Sequence, residues 1–351
     1  MRALLAAADQ SGLTRLVAGC DVYGPRRDEI RARTNETATT HLDYRELLDK
    51  KDVDAVVIAA PDHWHVHMAK DAIAAGKDVY LEKPVTHLIE QDEPLIRAVR
   101  GSNRILQCGM QQRSWIHFQS AVDLIQGGSI GRVTQVRTYW YQNYQGRGGW
   151  MSPKPIDTAL LDWKAWLGSA PEQPFTQDKY SHWRWYWDFG GGAMTDLFAH
   201  WIDVVHWAMK TDAPRLAQTL GDTYLFDQWQ CPDTIQSALR YPGFEVGYEG
   251  TMISSIDDGG LEFRGTTGTI KLTRSGFAVY REGAHIQNPA LEEHSIEDGT
   301  ITHMRNFLEC VQTRKEPNAP VEAGVAAARA GHIGNLALRK GERVTWPQER
   351  A

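Results

Sequence analysis

The sequence is poor in cysteine, carries no excess of positive charge and contains no long apolar run. Its four cysteines, Cys20, Cys108, Cys231 and Cys310, are far apart and form no C-x-x-C motif. That pattern is typical of buried thiols in a reducing compartment, with a single disulfide pair left open. The formal net charge is −6, and no stretch approaches the roughly 18–20 apolar residues that span a bilayer. We therefore expect a cytoplasmic protein without nucleic-acid or membrane partners. An export signal upstream of Met1 stays an open alternative to this expectation.

The first hundred residues alternate between short apolar runs and amphipathic stretches. The stretch HVHMAKDAIAAG (65–76) predicts a helix that ends at Gly76. Continuous apolar strands separated by helices are typical of a parallel sheet with crossover helices. The predicted strands are RLVAGCD (15–21), DAVVIAA (54–60), KDVYLEKP (77–84) and RILQCGMQQR (104–113).

The pattern changes after about Arg113. The segment GRVTQVRTYWYQN (131–143) alternates with period two, and later segments predict antiparallel strands joined by turns. A chain of 351 residues is long enough for two domains. We expect a parallel α/β domain over residues 1–110 and an α+β domain around an open sheet over residues 111–351. A C-terminal helix over residues 322–339 is expected to pack back on the first domain.

Lys83 stands at the carboxyl end of a predicted parallel strand, the edge at which open α/β sheets bind ligands. From there a lysine can reach a substrate oxygen, although a solvated lysine at a strand end fits the spacing as well. Ala60 and Pro61 end the preceding strand with little side chain to obstruct a flat or pyrophosphate-bearing ligand. The alternative at that position is an ordinary turn with Asp62 as a helix cap.

Asp196 and His200 are four residues apart in GGGAMTDLFAHWIDVVHW (190–207), a spacing that predicts one shared helix face. A histidine held by a carboxylate is a proton carrier near neutral pH. A buried histidine satisfied by a helix neighbour is the first alternative. A metal pair is the second, with a third ligand from the histidines at 63, 65 and 67. The metal alternative is disfavoured because those histidines begin a predicted helix, where side chains two apart diverge.

Polar and aromatic side chains supply further candidates. Gln111 and Arg113 follow another strand end, where a polar domain junction is the alternative. Most of the thirteen tryptophans cluster between Trp140 and Trp207. Such a cluster predicts a stacking surface for a ligand, with aromatic core packing as an equal alternative.

Taken in order, these segments resemble the Gfo/Idh/MocA oxidoreductases, named for glucose-fructose oxidoreductase, inositol dehydrogenase and MocA. AAPDHWHVHMAKDAIAAGKDVYLEKP is similar to the family's segment that ends in E-K-P, and GGGAMTDLFAHWID is similar to its D-x-x-x-H helix. The resemblance implies an N-terminal Rossmann domain and a C-terminal α+β domain whose large, mostly antiparallel sheet forms homodimers or homotetramers. It also implies NAD(P)-dependent oxidation of a carbinol of a sugar, cyclitol or glycoside.

The resemblance implies a role for each matching residue. His200 is the implied acid/base, Asp196 orients it, and Lys83 lies beside the nicotinamide and the substrate hydroxyl. The residues implied in cofactor binding are Asp21, Ala60, Pro61, His65, Glu82, Lys83 and Gln111. Those implied in substrate binding are Arg113, Arg184, Trp187, Asp196 and His200. NAD is favoured over NADP because the Asp21 carboxylate repels a 2′-phosphate, while Arg26 and Arg27 keep NADP open. No metal is expected.

No G-x-G-x-x-G motif occurs in the sequence, so the family's phosphate-binding turn is absent from it. One expectation is a reading frame that starts roughly 12–20 residues upstream, with RALLAAADQSG as the helix after the turn, from about Ala3. The other is a variant without dinucleotide binding, either a sugar-binding protein or a metal-dependent lyase. A further alternative uses the same residues in a redox-cycling glycosidase, which oxidises, eliminates, hydrates and reduces its substrate.

Overall fold

A computed structural model describes residues 10, 12–145, 153–295 and 298–347. The helix predicted from about Ala3 lies outside the described residues. The strands are β1 Ala18–Cys20, β2 Thr39–His41, β3 Ala55–Ile58, β4 Asp78–Leu81, β5 Leu106–Cys108, β6 Val133–Tyr141, β7 Leu216–Asp222, β8 Thr234–Tyr241, β9 Phe244–Thr251, β10 Gly259–Gly265, β11 Gly268–Thr273, β12 Gly276–Arg281, β13 Leu291–His294 and β14 Val344–Thr345. The α-helices are α1 Gly24–Arg33, α2 Tyr44–Leu48, α3 Asp62–Ala74, α4 Asp92–Arg100, α5 Ile116–Gln126, α6 Trp163–Leu167, α7 Gln177–Ser181, α8 Gly192–Asp196, α9 Phe198–Met209, α10 Gly299–Thr313 and α11 Val321–Lys340.

The parallel strands of the first hundred residues lie in two small sheets. β1 pairs with β2, and β3, β4 and β5 pair in that order. In a doubly wound sheet the first strand lies between these two groups. None of the strands in the described residues occupies that place.

β4 is buried on both faces, which suits its apolar residues Val79, Tyr80 and Leu81. Ala69 and Ala72 of α3 are fully buried in the core on one side. On the other side the Tyr80 ring meets Phe307 of α10 edge to face, at 5.7 Å between centroids. α11 contacts α4 and β5 as well as α8, α9 and β7, so the C-terminal helix touches both halves of the chain.

The second sheet has nine strands in the order β13-β12-β11-β10-β6-β9-β8-β7-β14. Only β6 and β9 pair in parallel, so the predicted large, mostly antiparallel sheet is confirmed. α9 is buried on almost every side between this sheet and α11. The Trp201 indole N–H donates to the Tyr139 carbonyl at 3.0 Å, which fixes the start of α9 against the end of β6.

The segment that begins at residue 153 returns to the first sheet. Tyr23 and Leu161 form an isolated antiparallel bridge, and the Asp162 amide donates to the Val22 carbonyl at 3.1 Å. This segment therefore lies beside the carboxyl end of β1. Within the described ranges, the helices are all too short or too polar to span a membrane.

Candidate active site

Lys83 and Asp196 meet at the carboxyl end of β4. The Lys83 ammonium donates to Asp196 Oδ1 at 2.5 Å and to the Asp196 carbonyl at 2.7 Å. Arg184 Nε donates to the same carboxylate oxygen at 3.0 Å. Burial alone would raise the pKa of Asp196, but the charges of Lys83 and Arg184 hold it well below its usual range. Asp196 is therefore a carboxylate that holds two cations in place.

His200 is close to this cluster but is not held by Asp196. The helix is interrupted at Leu197, between the end of α8 and the start of α9, so the two residues do not share one continuous helix face. The hydrogen bonds of the Asp196 side chain go to Lys83 and Arg184, and its role in orienting His200 stays a prediction. The His200 ring instead lies nearly parallel to Trp140, with 6.0 Å between centroids, and its buried Nδ1 has no hydrogen-bond partner.

The charges around His200 favour the neutral imidazole. Burial, and then the positive charges of Lys83 and Arg274, lower the pKa of His200 well below its ordinary value. Arg274 lies in the turn between β11 and β12, and its guanidinium covers Trp140 at 4.9 Å and Trp201 at 5.8 Å. A neutral imidazole near pH 7 can accept a proton. Sequence reasoning missed Arg274 because a hairpin turn in a distant part of the chain carries no motif.

Asp62 is a second residue that sequence reasoning underestimated. It is the first residue of α3, whose N-cap is Pro61, and it is 2% exposed. Burial raises its pKa well above the usual value, against the opposing charges of Arg184 and Lys83. Asp62 is thus a carboxyl group beside the Lys83–Asp196 pair that favours its protonated form. The signal that could have identified Asp62 in the sequence is its position directly after a strand that ends in Ala-Ala-Pro.

Arg113 forms an ion pair with Asp203 of α9. Its Nε donates to both carboxylate oxygens of Asp203 at 2.9 Å, and its Nη2 donates to one of them at 2.8 Å. Asp203 is 1% exposed, and the guanidinium also lies over Trp207 at 5.5 Å. Its Nε and Nη2 are thus engaged by Asp203, and its role as a substrate ligand stays a prediction. The ion pair anchors α9, the helix that carries His200.

Asp21 lies directly after β1, where the sequence placed it. Its Oδ1 accepts the Tyr23 amide at 2.9 Å, and Arg27 donates to its main-chain carbonyl at 2.6 Å. Arg26 pairs with Glu29 at 3.0 Å. Burial raises the pKa of Asp21. Both arginines, which lie in α1, thus have local contacts, and one Asp21 oxygen keeps no hydrogen bond to a described residue.

His65 connects two strand ends. Its Nδ1 lies 2.6 Å from the Pro84 carbonyl and its Nε2 lies 2.9 Å from the Ala60 carbonyl. Burial lowers the pKa of His65 to about 4, so the neutral ring donates to one carbonyl at a time. Because both nitrogens face the main chain, this geometry favours a positioning role over the direct cofactor contact that the resemblance implied.

Glu82 and Gln111 form a second polar pair at this edge. The Gln111 amide donates to Glu82 Oε1 and to the Tyr80 hydroxyl, both at 3.2 Å. Burial raises the pKa of Glu82, and the neighbouring Lys83 opposes that rise. The structure therefore brings Glu82, Lys83 and Gln111 together, as the sequence predicted, at the ends of β4 and β5.

Two family models match this chain. One is described as an oxidoreductase family, NAD-binding Rossmann fold, and covers residues 1–110. The other is described as an oxidoreductase family, C-terminal alpha/beta domain, and covers residues 169–345.

The chain belongs to the Gfo/Idh/MocA oxidoreductase family.

Curated relatives in this family match parts of the chain. Levoglucosan dehydrogenase of Pseudarthrobacter phenanthrenivorans is 28% identical over 166 residues, which is 47% of this chain and 35% of that protein. Inositol 2-dehydrogenase of Salmonella typhimurium is 28% identical over 198 residues, which is 56% of this chain and 47% of that protein. The matched stretches span less than half the length of these relatives.

Solved structures of the family match nearly the whole chain. Levoglucosan dehydrogenase in complex with NADH and L-sorbose has a TM-score of 0.75 at 18% identity and covers 99% of this chain and 95% of its own. The WlbA dehydrogenase of Bordetella pertussis, in complex with NADH and UDP-GlcNAcA, has a TM-score of 0.74 at 20% identity, with 98% and 95% covered. At these identities the likeness confirms the Gfo/Idh/MocA fold.

The described residues fit two ends of the dinucleotide that Gfo/Idh/MocA Rossmann domains bind. Asp21 keeps a carboxylate oxygen for a ribose hydroxyl. Lys83 uses two of its three N–H donors on Asp196, which leaves one for a ligand. For the pyrophosphate, the part of the chain that the structure describes offers no glycine-rich turn.

The tryptophans of the predicted stacking surface have different places. Trp185 is fully buried and stacks on Trp229 at 4.4 Å, so it belongs to the core. Trp187 lies beside Arg339 at 5.3 Å and contacts Gln230 and His87 through its main chain, not the Lys83–Asp196 pair. The geometry thus does not favour Trp187 as a substrate residue.

Trp183 is the tryptophan of this segment that the structure brings to the site. The Arg184 guanidinium lies 4.2 Å from the centre of its ring, and Arg184 also holds Asp196. Arg184 is therefore placed where the sequence predicted a substrate residue, with Trp183 under it.

The metal alternative finds no ligand set in the described ranges. No group of three or more histidine, cysteine, aspartate or glutamate side chains there lies close enough to hold an ion. His63 faces the Trp166 carbonyl at 3.2 Å, and His65 is held by two carbonyls. His63 and His65 therefore do not share a coordination sphere with His200.

Proposed function

We propose that this chain is an NAD-dependent oxidoreductase that acts on a carbinol of a sugar, cyclitol or glycoside. One observation carries the proposal: Lys83, Asp196, Arg184 and a neutral His200 converge at the carboxyl end of β4. That edge is where doubly wound folds bind their ligands. The names of the relatives, levoglucosan dehydrogenase and inositol 2-dehydrogenase, support a sugar or polyol as the substrate class.

In the proposed mechanism His200 is the general base. Its neutral imidazole takes the hydroxyl proton as the carbinol is oxidised. Lys83 directs its remaining N–H at the same oxygen and stabilises the negative charge that develops there. Asp196 holds Lys83 in that position through two hydrogen bonds. When bound, the nicotinamide supplies the hydride acceptor.

The residues proposed to hold NAD lie along one edge. Asp21 would bind a ribose hydroxyl, and its charge disfavours a 2′-phosphate. Ala60 and Pro61 leave room for a flat ring, and the Glu82–Gln111 pair lies beside Lys83. NAD is therefore proposed over NADP.

Two measurements on the purified chain test this proposal. Acid release followed by mass spectrometry detects bound NAD or NADP. A panel of sugars and glycosides, read both by NADH absorbance and by sugar release, then separates the activities. NADH accumulation that His200→Gln abolishes supports the dehydrogenase. The absence of nucleotide after incubation with NAD, together with sugar binding, would instead identify a cofactor-free binding protein.

A redox-cycling glycosidase is the second candidate, and Asp62 is the observation that favours it. Oxidation of a ring carbinol to a ketone acidifies the neighbouring C–H, so that a base can remove that proton while the aglycone leaves. A protonated carboxyl beside the site can supply the proton that the aglycone oxygen takes. Asp62→Asn should then abolish sugar release while solvent deuterium still exchanges into the substrate. Loss of both, or of neither, contradicts this role.

The homodimer or homotetramer predicted through the nine-stranded sheet stays a prediction. Light scattering of the purified chain gives the mass of the assembly directly, and a monomer of 39.5 kDa would contradict it.

A further inference from the structure

A short segment in the second half of the chain reaches the carboxyl end of β1. Leu161 forms an antiparallel bridge with Tyr23, and the Asp162 amide donates to the Val22 carbonyl at 3.1 Å. Val22 and Tyr23 directly follow Asp21, the residue after β1. This end of the segment is therefore fixed beside the residue that is proposed to bind a ribose.

The same segment is fixed a second time, beyond the carboxyl end of β3. The Trp166 carbonyl accepts the Trp64 indole N–H at 2.8 Å and lies 3.2 Å from His63 Nε2. Gly168 has φ +56° and lies against the Trp64 ring, which a Cβ at this position would overlap. His63 and Trp64 are in the first turn of α3, which begins after β3. We call residues 160–168 the strap and these two attachments its anchors.

The strap connects two groups of strands that do not pair with each other in the part of the chain that the structure describes. β1 lies in the two-stranded sheet and β3 in the three-stranded sheet. In a doubly wound fold the first strand belongs between these groups, and the dinucleotide lies in the crevice at its carboxyl end. The two anchors lie at carboxyl ends, one in each group. The strap therefore crosses the mouth of that crevice.

Aromatic packing holds the strap on the side of the second half of the chain. The Trp163 ring stacks on Trp166 at 4.6 Å between centroids, and Phe189 meets Trp166 edge to face at 4.7 Å. The Trp163 indole N–H donates to the Gln173 carbonyl at 2.8 Å. Because the strap is held by both anchors and by this aromatic cluster, the crevice can open only when at least one of these contacts breaks.

We propose that the strap closes over the adenosine half of a bound dinucleotide and must open before NAD can enter or leave. This inference rests on the proposed function of the same crevice. Asp21 connects the ribose to the strap, because its Oδ1 accepts the amide of Tyr23, the residue that pairs with Leu161, at 2.9 Å. The rate at which NAD exchanges with solvent is then set by the opening of the strap.

A disulfide across the first anchor tests the proposal. Because the Asp162 amide bonds to the Val22 carbonyl, Tyr23 and Leu161 form a non-hydrogen-bonded antiparallel pair. Such pairs have the shorter Cα separation, about 4.5 Å, which lies within the range of disulfides. The double variant Tyr23→Cys/Leu161→Cys is loaded with NADH, oxidised and mixed with excess NAD, and NADH release is followed by fluorescence. The oxidised chain should retain NADH until dithiothreitol reduces it, and should take up none when it is oxidised empty.

ADP-ribose tests which half of the dinucleotide the strap covers. It carries the adenosine half without the nicotinamide, so the oxidised double variant should retain it through dialysis, with mass spectrometry as the readout. Retention of NADH without retention of ADP-ribose would place the strap over the nicotinamide half and overturn the assignment.

Two neighbouring leucines give a matched pair of variants that needs no cross-link. Leu161 is 8% exposed, whereas Leu160 is 50% exposed. Leu161→Ala should speed NADH release about tenfold or more, because it removes buried contacts at one anchor. Leu160→Ala should leave the release rate unchanged.

The release rates decide the proposal even where thiol titration shows that the disulfide has not formed, since the leucine pair is independent of it. Equal release from the oxidised and reduced double variant would overturn the proposal, and so would an unchanged rate in Leu161→Ala. Failure of the native chain to bind NADH at all would contradict the proposed function itself, which is a separate result.

Discussion

Burial lowers the pKa of His200 most, and the charge of Lys83 lowers it further. The charge of Lys83 also neutralises Asp196, whose own charge acts in the opposite direction. Lys83→Met removes the first effect and leaves Asp196 with one cation fewer. Both changes raise the pKa of His200, so the acidic limb of any pH–rate profile that depends on neutral His200 should move to higher pH.

NMR titration of the His200 ring in the variant measures that pKa directly, with His200→Gln used to assign the signal. Lys70→Met on the exposed face of α3 is the control and should leave it unchanged. An unchanged pKa in Lys83→Met would show that burial alone sets the protonation state of His200.

The burial of the Asp62 carboxyl group lowers the stability of the folded chain at neutral pH. Burial raises the pKa of this carboxyl in the folded chain, so the folded state binds its proton more tightly than the unfolded state does. That difference lowers stability as pH rises above the unfolded value of about 3.9. Asp62→Asn removes the titration and should raise the melting temperature at pH 7 to 8 by a few degrees. Asp123→Asn, at an exposed position of α5, should not, and a lower melting temperature for Asp62→Asn would contradict the buried-acid assignment.

The elements that carry the site could be predicted from sequence to different extents. β4 and the Glu82-Lys83-Pro84 segment were predictable because they follow the alternation of short strands and helices that is typical of a parallel sheet. The interruption at Leu197 was not, because helical spacing from Asp196 to His200 is the same whether or not one turn is irregular. Trp185 and Trp187 also could not be assigned, since a tryptophan in the core and one in a cleft look alike in sequence.

The start of α8 depends on one glycine. Gly192 has φ +60°, and a Cβ there would lie 2.6 Å from the Cβ of Cys231. Gly192→Ala should therefore lower the free energy of unfolding by about 1–3 kcal/mol and displace Asp196 at the other end of this five-residue helix, with a loss of activity. Urea unfolding and rates measured together test both effects.

Gly128→Ala is a matched control for that substitution. Gly128 also has a positive φ, +79°, but open space around its Cβ position. It should cost only the backbone strain, about 1 kcal/mol, with activity unchanged. Equal effects of the two variants would show that the contact with Cys231 is not what matters.

At the scale of the whole molecule, many ionisable side chains are buried between the sheets and the helices that pack on them. α10 and α11 cover the far face of β4 and β5, while α9 is enclosed between the nine-stranded sheet and α11. Among the described residues, eight histidines have a pKa lowered chiefly by burial: His63, His65, His87, His117, His200, His206, His303 and His332. Five carboxyl groups have a raised pKa: Asp21, Asp62, Glu82, Asp92 and Asp203.

These groups predict that the fold is sensitive to mild acid. A histidine lowered to about 4, such as His303, is protonated in the unfolded chain below about pH 6.5 but stays neutral in the folded chain. Its contribution to stability is present above pH 6.5 and is lost as pH falls toward 4, at up to about 1.4 kcal/mol per pH unit for each group. The carboxyl groups with a raised pKa act in the opposite direction, but they are fewer than the histidines with a lowered pKa. Stability from urea unfolding should therefore fall steeply between pH 6.5 and pH 4.5.

His332→Gln should flatten that fall because it removes one buried histidine, with a pKa lowered to about 3. His294→Gln, at a side chain that is 78% exposed, should not. Stability that stays constant over this range would show that the carboxyl groups balance the histidines.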